Sequence, residues 1–205
     1  IICHFAHIPK CAGTSITEYC RKLNLNISFV DYGYHTKPSA KPWNISSPQH
    51  IDGISLNRLF NATFFDFGFA VVRDPIDRFL SAYKFQMLIE KKIETTQCIN
   101  EFISTKLEKA CSNLGMFDNH FLPQNEFLMP KLNYEIVKLE DGLEQVKKIF
   151  NREFNINCNT NISKITYLTQ TQKKSITDFS LDKNSLKILN KIYKRDYKKF
   201  NYQHR

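Results

Sequence analysis

The sequence predicts one α/β domain whose central sheet is mostly parallel and flanked by helices. Two apolar, β-prone runs, Ile1 to His7 and Phe67 to Val72, are each followed by a loop and by apolar residues at helical spacing. Alternation of strands and helices is typical of parallel sheets. A chain of 205 residues with 42% hydrophobic residues has the length and composition of one packed globular domain, so residues 1–205 are expected to form a single unit.

The first unit is predicted to run from a strand through a loop into a helix. His7 to Gly13 forms the loop, and Ser15 followed by Glu18 has the spacing of a capping box, which predicts that Ser15 caps the helix. A further strand is predicted over Ile27 to Tyr32. The proline-containing stretch from Gly33 to Ile51 is expected to be a long loop, and loops of that length are usually functional.

The second unit begins with the Phe67 to Val72 strand. Asp74 is expected to cap the following helix because Pro75 suits the first helical position. The other predicted elements are a helix over 56–61, short helices and loops over 95–129, a strand over 134–139, and helices over 141–154 and 182–200.

Charge and cysteine content narrow the classes of partner and site. The formal net charge of +9 favours an acidic partner, which leaves nucleic acid, an anionic membrane, an anionic glycan and a multiply phosphorylated cofactor open. The six cysteines form no CxxC pair and the histidines lack zinc-finger spacing, so we expect no metal site. No apolar run approaches the ~20 residues that span a bilayer, which predicts no integral membrane segment.

The loop after the first strand has the features of an anion site. Ligands of parallel sheets bind at the carboxyl ends of the strands. Gly13 is expected to let the backbone approach an anion, Lys10 supplies a positive charge, and Thr14 and Ser15 supply hydroxyl donors at a helix start. The order differs from the GxxxxGK[ST] phosphate loop, because Lys10 precedes the glycine.

A second anion site is predicted where the Phe67 to Val72 strand ends. Arg73 follows this strand directly, and a guanidinium can bind phosphate through two parallel hydrogen bonds. Ser81 lies about two helical turns further on, so the anion would lie along the flank of the helix. The alternative is a salt bridge from Arg73 to Asp74. Arg78 is expected to form either an anion contact or a structural pair with an acidic neighbour.

Both segments together resemble the sulfotransferases that use 3′-phosphoadenosine-5′-phosphosulfate (PAPS), in particular the carbohydrate-acting group often called sulfotransferase family 2. The resemblance implies a sulfotransferase fold similar to that of the P-loop nucleoside triphosphatases, with adenosine 3′,5′-bisphosphate as product. It assigns to Lys10 contact with the phosphosulfate and stabilisation of the leaving group, and to Arg73 and Ser81 the 3′-phosphate. The residues that it places around the 5′-phosphate are Lys10, Cys11, Ala12, Gly13, Thr14 and Ser15.

The resemblance also suggests candidates for the general base and for substrate contacts. His50 lies between the two motifs, where related carbohydrate enzymes carry a catalytic histidine, and His35 in the same loop is the second choice. The stretch from Asp118 to Gln124 is similar to a family stretch of acidic-x-His-aromatic-x-Pro-Gln. His120 is therefore a further candidate for the base. His35, His120 and Gln124 are the expected substrate contacts.

The expected reaction is transfer of a sulfuryl group from PAPS to a hydroxyl of a poly- or oligosaccharide or a glycolipid, without a metal and without a nucleic-acid partner. Two alternatives stay open: a nucleotide-dependent kinase on a similar fold, and a non-catalytic basic module that binds glycan or nucleic acid. The absence of a signal-peptide pattern predicts a bacterial-type cytoplasmic enzyme. A catalytic domain of the Golgi lumen that has lost its anchor is the alternative.

Overall fold

A parallel sheet forms the centre of the protein. The structure is a computed structural model, and it describes residues 1–31, 33–34, 45–156, 161–163, 165 and 179–205. Within these residues the strands β1 (Cys3–Ala6), β2 (Phe67–Val72) and β3 (Tyr134–Lys138) pair in parallel in the order β1-β2-β3. The central strand β2 is buried from residue 68 to residue 72, as expected for a strand that is covered on both faces.

Helices flank this sheet and connect its strands. In the described part of the chain they are α1 (Gly13–Lys22), α2 (Gly53–Leu59), α3 (Pro75–Leu88), α4 (Ile99–Thr105), α5 (Leu107–Ser112), α6 (Glu144–Phe154), α7 (Lys183–Ile192) and α8 (Lys194–Phe200). The predicted α/β fold with a parallel sheet is therefore confirmed. No helix in these residues has the length and apolar character that a membrane crossing requires.

Local sequence signals correctly predicted the second unit. Asp74 caps α3, and its Oδ1 accepts hydrogen bonds from the backbone N–H groups of Ile76 and Asp77, both at 3.0 Å. Pro75 occupies the first helical position. This cap ends β2 and starts α3 within three residues, so Arg73 lies directly between the two elements.

The predicted cap of the first helix is wrong. The helix begins at Gly13, and Ala12 is the N-cap with a left-handed backbone (φ 64°). Ser15 therefore lies in the first turn, where its Oγ accepts a hydrogen bond from the backbone N–H of Ile165 at 2.9 Å. Glu18 is bound by Arg21 at 2.9 Å and not by the helix start.

The strand predicted over 27–32 does not form in its described part, residues 27–31. Phe29 has a φ of 59°, and this left-handed conformation is incompatible with an extended strand. Three helices also differ from prediction. The helix predicted over 56–61 begins earlier, as α2 over Gly53–Leu59. Gly142 (φ 84°) delays the start of α6 to Glu144, and a break at Tyr193 divides the last predicted helix into α7 and α8.

A fully buried arginine joins α3 to the segment that follows α5. The two terminal nitrogens of Arg78 donate to the backbone carbonyl oxygens of His120 and Leu122 at 3.0 and 2.7 Å. The predicted pair of Arg78 with an acidic neighbour is not observed in the described residues, because its hydrogen-bond partners are backbone carbonyl groups. These bonds hold residues 120–122 beside the helix that carries Ser81.

Candidate active site

The two predicted anion-binding segments line one cavity of about 810 Å³. It lies where β1, β2 and β3 end, since residues that follow each of the three strands contribute to its wall. From the first segment it is lined by Lys10, Ala12, Gly13, Thr14 and Ser15, and from the second by Arg73 and Ser81. A volume of this size is typical of small-molecule sites. Lys10 and Arg73 therefore face a common space.

The loop before α1 is held in an uncommon backbone conformation. Lys10 and Ala12 have φ values of 68° and 64°, in the left-handed region that residues with a Cβ enter at a cost of roughly 1–2 kcal/mol each. Ala12 offers no side-chain acceptor to the first turn of α1, whereas Asp74 occupies the corresponding donors of α3. The positive end of the α1 dipole thus faces the cavity, and such helix starts bind anions.

Gly13 has a different role from the predicted one. A Cβ at this position would lie 1.7 Å from Nε2 of His7, so the missing side chain makes room for the His7 ring and not for an anion. Burial, with a contribution from the neighbouring His50, lowers the pKa of His7 to about 3. An uncharged His7 ring then packs edge-on against His50, with the ring centroids 5.1 Å apart.

Lys10 extends into the cavity and over an aromatic ring. Its Nζ lies 3.9 Å from the ring centroid of Phe85. Burial and, second, repulsion by the Arg73 guanidinium lower the pKa of Lys10 to about 8. Among the described residues, neither Lys10 nor Arg73 has a carboxylate within ion-pair distance. Two cations that share a cavity without such a partner make its electrostatic potential favourable for an anion.

Arg73 is positioned by a buried glutamine. The Gln124 amide binds both backbone polar groups of Arg73, at 2.9 and 2.8 Å, and its Oε1 also accepts from Sγ of Cys11 at 3.5 Å. Gln124, a predicted substrate contact, is fully buried and lies outside the cavity wall, where its side chain binds Arg73 and Cys11. Cys11 is likewise buried outside the cavity wall.

The alternative salt bridge between Arg73 and Asp74 does not form. The Asp74 carboxylate caps α3 and lies 3.3 Å from Arg205. Ser81 lies on α3 at the wall of the same cavity, together with Asp77 one turn earlier. Arg205 binds Asp77 at 2.8 Å. Asp74 and Asp77 are thus paired with Arg205, and Glu140 accepts hydrogen bonds from the Asp74 backbone and the Tyr202 hydroxyl. Among the described residues, none of these carboxylates forms an ion pair with Arg73.

His50 forms a hydrogen-bonded pair with Asp118. The Nδ1 of His50 lies 2.7 Å from Oδ2 of Asp118, and Asp118 also accepts from Oγ and N of Ser47 at 2.8 and 2.6 Å. Because a carboxylate accepts hydrogen bonds, Nδ1 carries the proton and Nε2 keeps its lone pair. The His50 side chain is 11% exposed and lines the cavity, as a base that meets a substrate must.

A left-handed turn brings Asp118 to His50. Phe117, Asp118 and Asn119 have φ values of 52°, 53° and 60°, and three such residues in a row cost roughly 1–2 kcal/mol each. The Asn119 side chain donates to the carbonyl oxygen of His50 at 2.8 Å, which holds the turn in place. Backbone strain of this kind clusters at active sites. The sequence analysis placed Asp118 in the stretch from Asp118 to Gln124 that resembles the family, but it assigned this residue no role.

His120 lies beside the pair and is uncharged. Burial, with repulsion by His50 as the second cause, lowers the pKa of His120 well below its usual value. Its Nδ1 contacts the carbonyl oxygen of Phe117 at 2.9 Å, so Nε2 is the nitrogen with a lone pair. His120 lines the cavity, whereas His35, the other predicted histidine, lies outside the described residues.

One group in the described residues has the spacing of metal ligands. Ligand atoms of His50, Asp118 and His120 all lie within 4.8 Å of one another. The 2.7 Å contact between His50 and Asp118 is a hydrogen bond, and Lys10 and Arg73 line the same cavity. A metal ion bound by this group would share the cavity with these two cations, whose positive charges disfavour its binding.

Comparisons with known proteins agree with this geometry. The model of the Sulfotransferase family matches residues 3–203, almost the whole chain. The comparison with curated proteins found no match. The comparison with solved structures found none either. The matched residues include both predicted anion-binding segments and the His50–Asp118 pair, and enzymes of this family transfer sulfuryl groups. The chain belongs to the sulfotransferase family.

Proposed function

We propose that this protein transfers a sulfuryl group from PAPS to a hydroxyl group of a carbohydrate, and that residues 1–205 act as one catalytic domain. The observation that carries the proposal is the shared cavity. Lys10, Arg73 and the His50–Asp118 pair line one space of about 810 Å³. Two cations suit a donor with anionic groups at both ends, and a histidine with a free Nε2 suits an acceptor hydroxyl.

The donor is held from two sides. The first turn of α1 and Lys10 bind the 5′-phosphosulfate, because a helix start and an ammonium group both favour anions. Arg73 and Ser81 bind the 3′-phosphate along the flank of α3. Support comes from the family itself, which generally uses PAPS, and from the absence of a carboxylate partner for either cation in the described residues.

The reaction is an in-line displacement at sulfur. The acceptor oxygen forms a bond to sulfur while its proton moves to Nε2 of His50. The bond from sulfur to the bridging oxygen breaks, and adenosine 3′,5′-bisphosphate leaves with the electron pair. Lys10 stabilises the negative charge that develops on that oxygen, and fixed charges at such positions are usually the largest contribution to catalysis. Asp118 orients His50 and stabilises its protonated form.

The acceptor is a poly- or oligosaccharide or the sugar of a glycolipid. Two features support a carbohydrate: the resemblance of both anion-binding segments to the carbohydrate-acting group, and the net charge of +9, which attracts anionic glycans. His120 contributes an uncharged Nε2 at the cavity wall, which accepts a hydrogen bond from a second sugar hydroxyl. His35 remains a predicted acceptor contact.

The identity of the group donor, PAPS or ATP, decides between a sulfotransferase and a kinase. The protein is incubated with immobilised glycans and either ³⁵S-labelled PAPS or γ-labelled Mg-ATP. Transfer of label from PAPS alone supports the proposal, whereas label from ATP alone contradicts it. The Lys10→Ala variant should bind the glycan panel but transfer no label, since it retains the His50–Asp118 pair without the leaving-group cation.

Nucleotide binding distinguishes the enzyme from a non-catalytic basic module. Calorimetric titration with adenosine 3′,5′-bisphosphate should show one site per chain that is weakened in Arg73→Ala. The exposed Arg195→Ala variant removes the same charge without touching the cavity and should bind normally. A module that acts only through its net charge would lose the same affinity in both variants. Its affinity would also fall steeply as the salt concentration rises.

A further inference from the structure

Phe85 contacts two of the groups that the proposed reaction uses. It lies on α3, four residues after Ser81, and its ring lines the cavity. The Lys10 Nζ lies 3.9 Å from the ring centroid. The His120 ring stacks on Phe85 with a centroid distance of 5.1 Å and an interplanar angle of 8°. Residues four apart on a helix share a face, so α3 presents Ser81 and Phe85 to the same side.

We propose that Phe85 is a positioning residue for sulfuryl transfer, whose ring holds the Lys10 ammonium and the His120 imidazole in fixed places at the reaction centre. This inference rests on the proposed function. It adds a residue that carries no charge and forms no bond with the reacting atoms, and it connects the helix of the 3′-phosphate site to the cation of the leaving-group site.

Lys10 requires such support because its side chain is flexible and its position is critical. A lysine ammonium sits on a four-carbon stem with many rotamers. Within the described residues the charged and titratable groups that act on it are Arg73, Cys11, Glu90 and His120, and none forms an ion pair with it. An aromatic face attracts a cation without neutralising it. Phe85 can therefore orient Lys10 and leave its positive charge available to the leaving group.

His120 is held by the same ring from the other direction. Its Nδ1 contact with Phe117 orients the ring edge, and the nearly parallel stack on Phe85 sets the ring plane. His120 in turn packs edge-on against His50, with ring centroids 5.1 Å apart. Movement of Phe85 would thus displace Lys10 directly and His50 through His120.

The first test compares two variants of α3. In Phe85→Leu we expect kcat to fall by about 3- to 30-fold, the range that a cation–π contact supplies, while the affinity for adenosine 3′,5′-bisphosphate changes by less than about threefold. Phe79→Leu is the control. Phe79 is fully buried on α3, packs on Phe121, and does not line the cavity. An equal loss of kcat in both variants would reduce Phe85 to a packing residue and overturn the proposal.

A series of fluorinated phenylalanines at position 85 isolates the electrostatic contribution. Fluorine withdraws electron density from the ring face but changes the shape of the ring little. We expect kcat to fall stepwise with one, two and three fluorines at an unchanged melting temperature. A constant kcat across the series would contradict a role for the Lys10 contact.

A measurement without turnover separates this inference from the proposed function. The Lys10 methylene protons next to Nζ lie near the Phe85 face, so their NMR signals should be shifted upfield in the unmodified protein and return to ordinary values in Phe85→Leu. An unshifted signal would overturn the inference whether or not PAPS is the donor. Failure of the protein to use PAPS, with the shift present, would instead remove the proposed function and leave only the contact between Phe85 and Lys10 established.

Discussion

The side chain of Gln124 hydrogen bonds both backbone polar groups of Arg73. Its Oε1 accepts from the Arg73 N–H at 2.9 Å, and its Nε2 donates to the Arg73 carbonyl oxygen at 2.8 Å. The backbone N–H of Gln124 donates in turn to the buried Asp196 at 2.7 Å. A residue 51 positions downstream thus holds the backbone from which the Arg73 guanidinium, the proposed ligand of the 3′-phosphate, extends.

Replacement of Gln124 should therefore weaken nucleotide binding without contact to the nucleotide. In Gln124→Ala both bonds to Arg73 are lost, and we expect the affinity for adenosine 3′,5′-bisphosphate to fall by about 5- to 150-fold, as two hydrogen bonds of about 0.5–1.5 kcal/mol each would give. Calorimetry measures the change. Gln145→Ala removes a surface glutamine that binds Glu135 and serves as the control. Equal affinities of both variants would contradict this role.

Asp118 should be needed for turnover and not for nucleotide binding. Asparagine has no negative charge with which to accept the hydrogen bond from Nδ1 of His50. His50 then loses the ring orientation and the tautomer that a general base requires. We expect Asp118→Asn to lower kcat by about 10²- to 10⁴-fold. Steady-state assays with labelled PAPS measure the loss, and Asp141→Asn, at an exposed position, is the matched control.

The two members of the pair should act as a unit. His50→Ala should lower kcat at least as far as Asp118→Asn, and the double variant should be little worse than His50→Ala, since groups that act together have non-additive effects. Additive losses would show that Asp118 acts independently of His50, and near-normal turnover of His50→Ala would transfer the role of base to His120 or His35.

The pH dependence of kcat/KM for PAPS should reflect the protonation state of Lys10. Its pKa is lowered to about 8, so the ammonium is charged below that pH and loses its proton above it. We expect kcat/KM for PAPS, which reflects the free enzyme, to fall as the pH rises through about 8. Bound PAPS is anionic and favours the charged form, so kcat should persist to higher pH. Lys10→Arg should lack the alkaline decline because arginine stays protonated, and an unchanged profile would contradict the assignment.

Arg78 should support the fold more than the chemistry. Arg78→Ala leaves the buried carbonyl groups of His120 and Leu122 without their donor, and we expect a loss of about 3–5 kcal/mol in the free energy of unfolding. Urea denaturation measures it. Arg195 pairs with Glu126 at the surface at 3.5 Å, so Arg195→Ala should cost less than about 1 kcal/mol. Similar losses in both variants would exclude the buried role.

Part of the site could be predicted because its signals are local. The strands before Lys10 and Arg73 are short apolar runs, and the Asp74–Pro75 start of α3 is a capping signal confined to neighbouring residues. Such signals depend on backbone conformation within a few residues, and the predictions made from them agree with the structure for this reason. The carboxyl ends of parallel neighbours then necessarily meet at one edge of the sheet.

The errors arose where a local signal competed with packing. Ser15 has the spacing of a cap, but the left-handed Ala12 starts the helix earlier. Residues 27–31 are β-prone, but Phe29 adopts a left-handed backbone. Gly13 was expected to admit an anion, and it admits the ring of His7 instead. In each case the residue pattern was compatible with two conformations, and contacts elsewhere in the chain selected one.

The sequence alone placed the three strands of the sheet and most of the helices in order, and it placed Lys10 and Arg73 after two of these strands. Only the tertiary structure decided the partners: Asp118 for His50 across 68 residues, Gln124 for the Arg73 backbone, and Phe85 for Lys10. The physical reason is the distance along the chain over which each kind of interaction acts. Backbone preferences act over a few residues, whereas a hydrogen bond or a ring contact between distant segments exists only after the whole chain has packed.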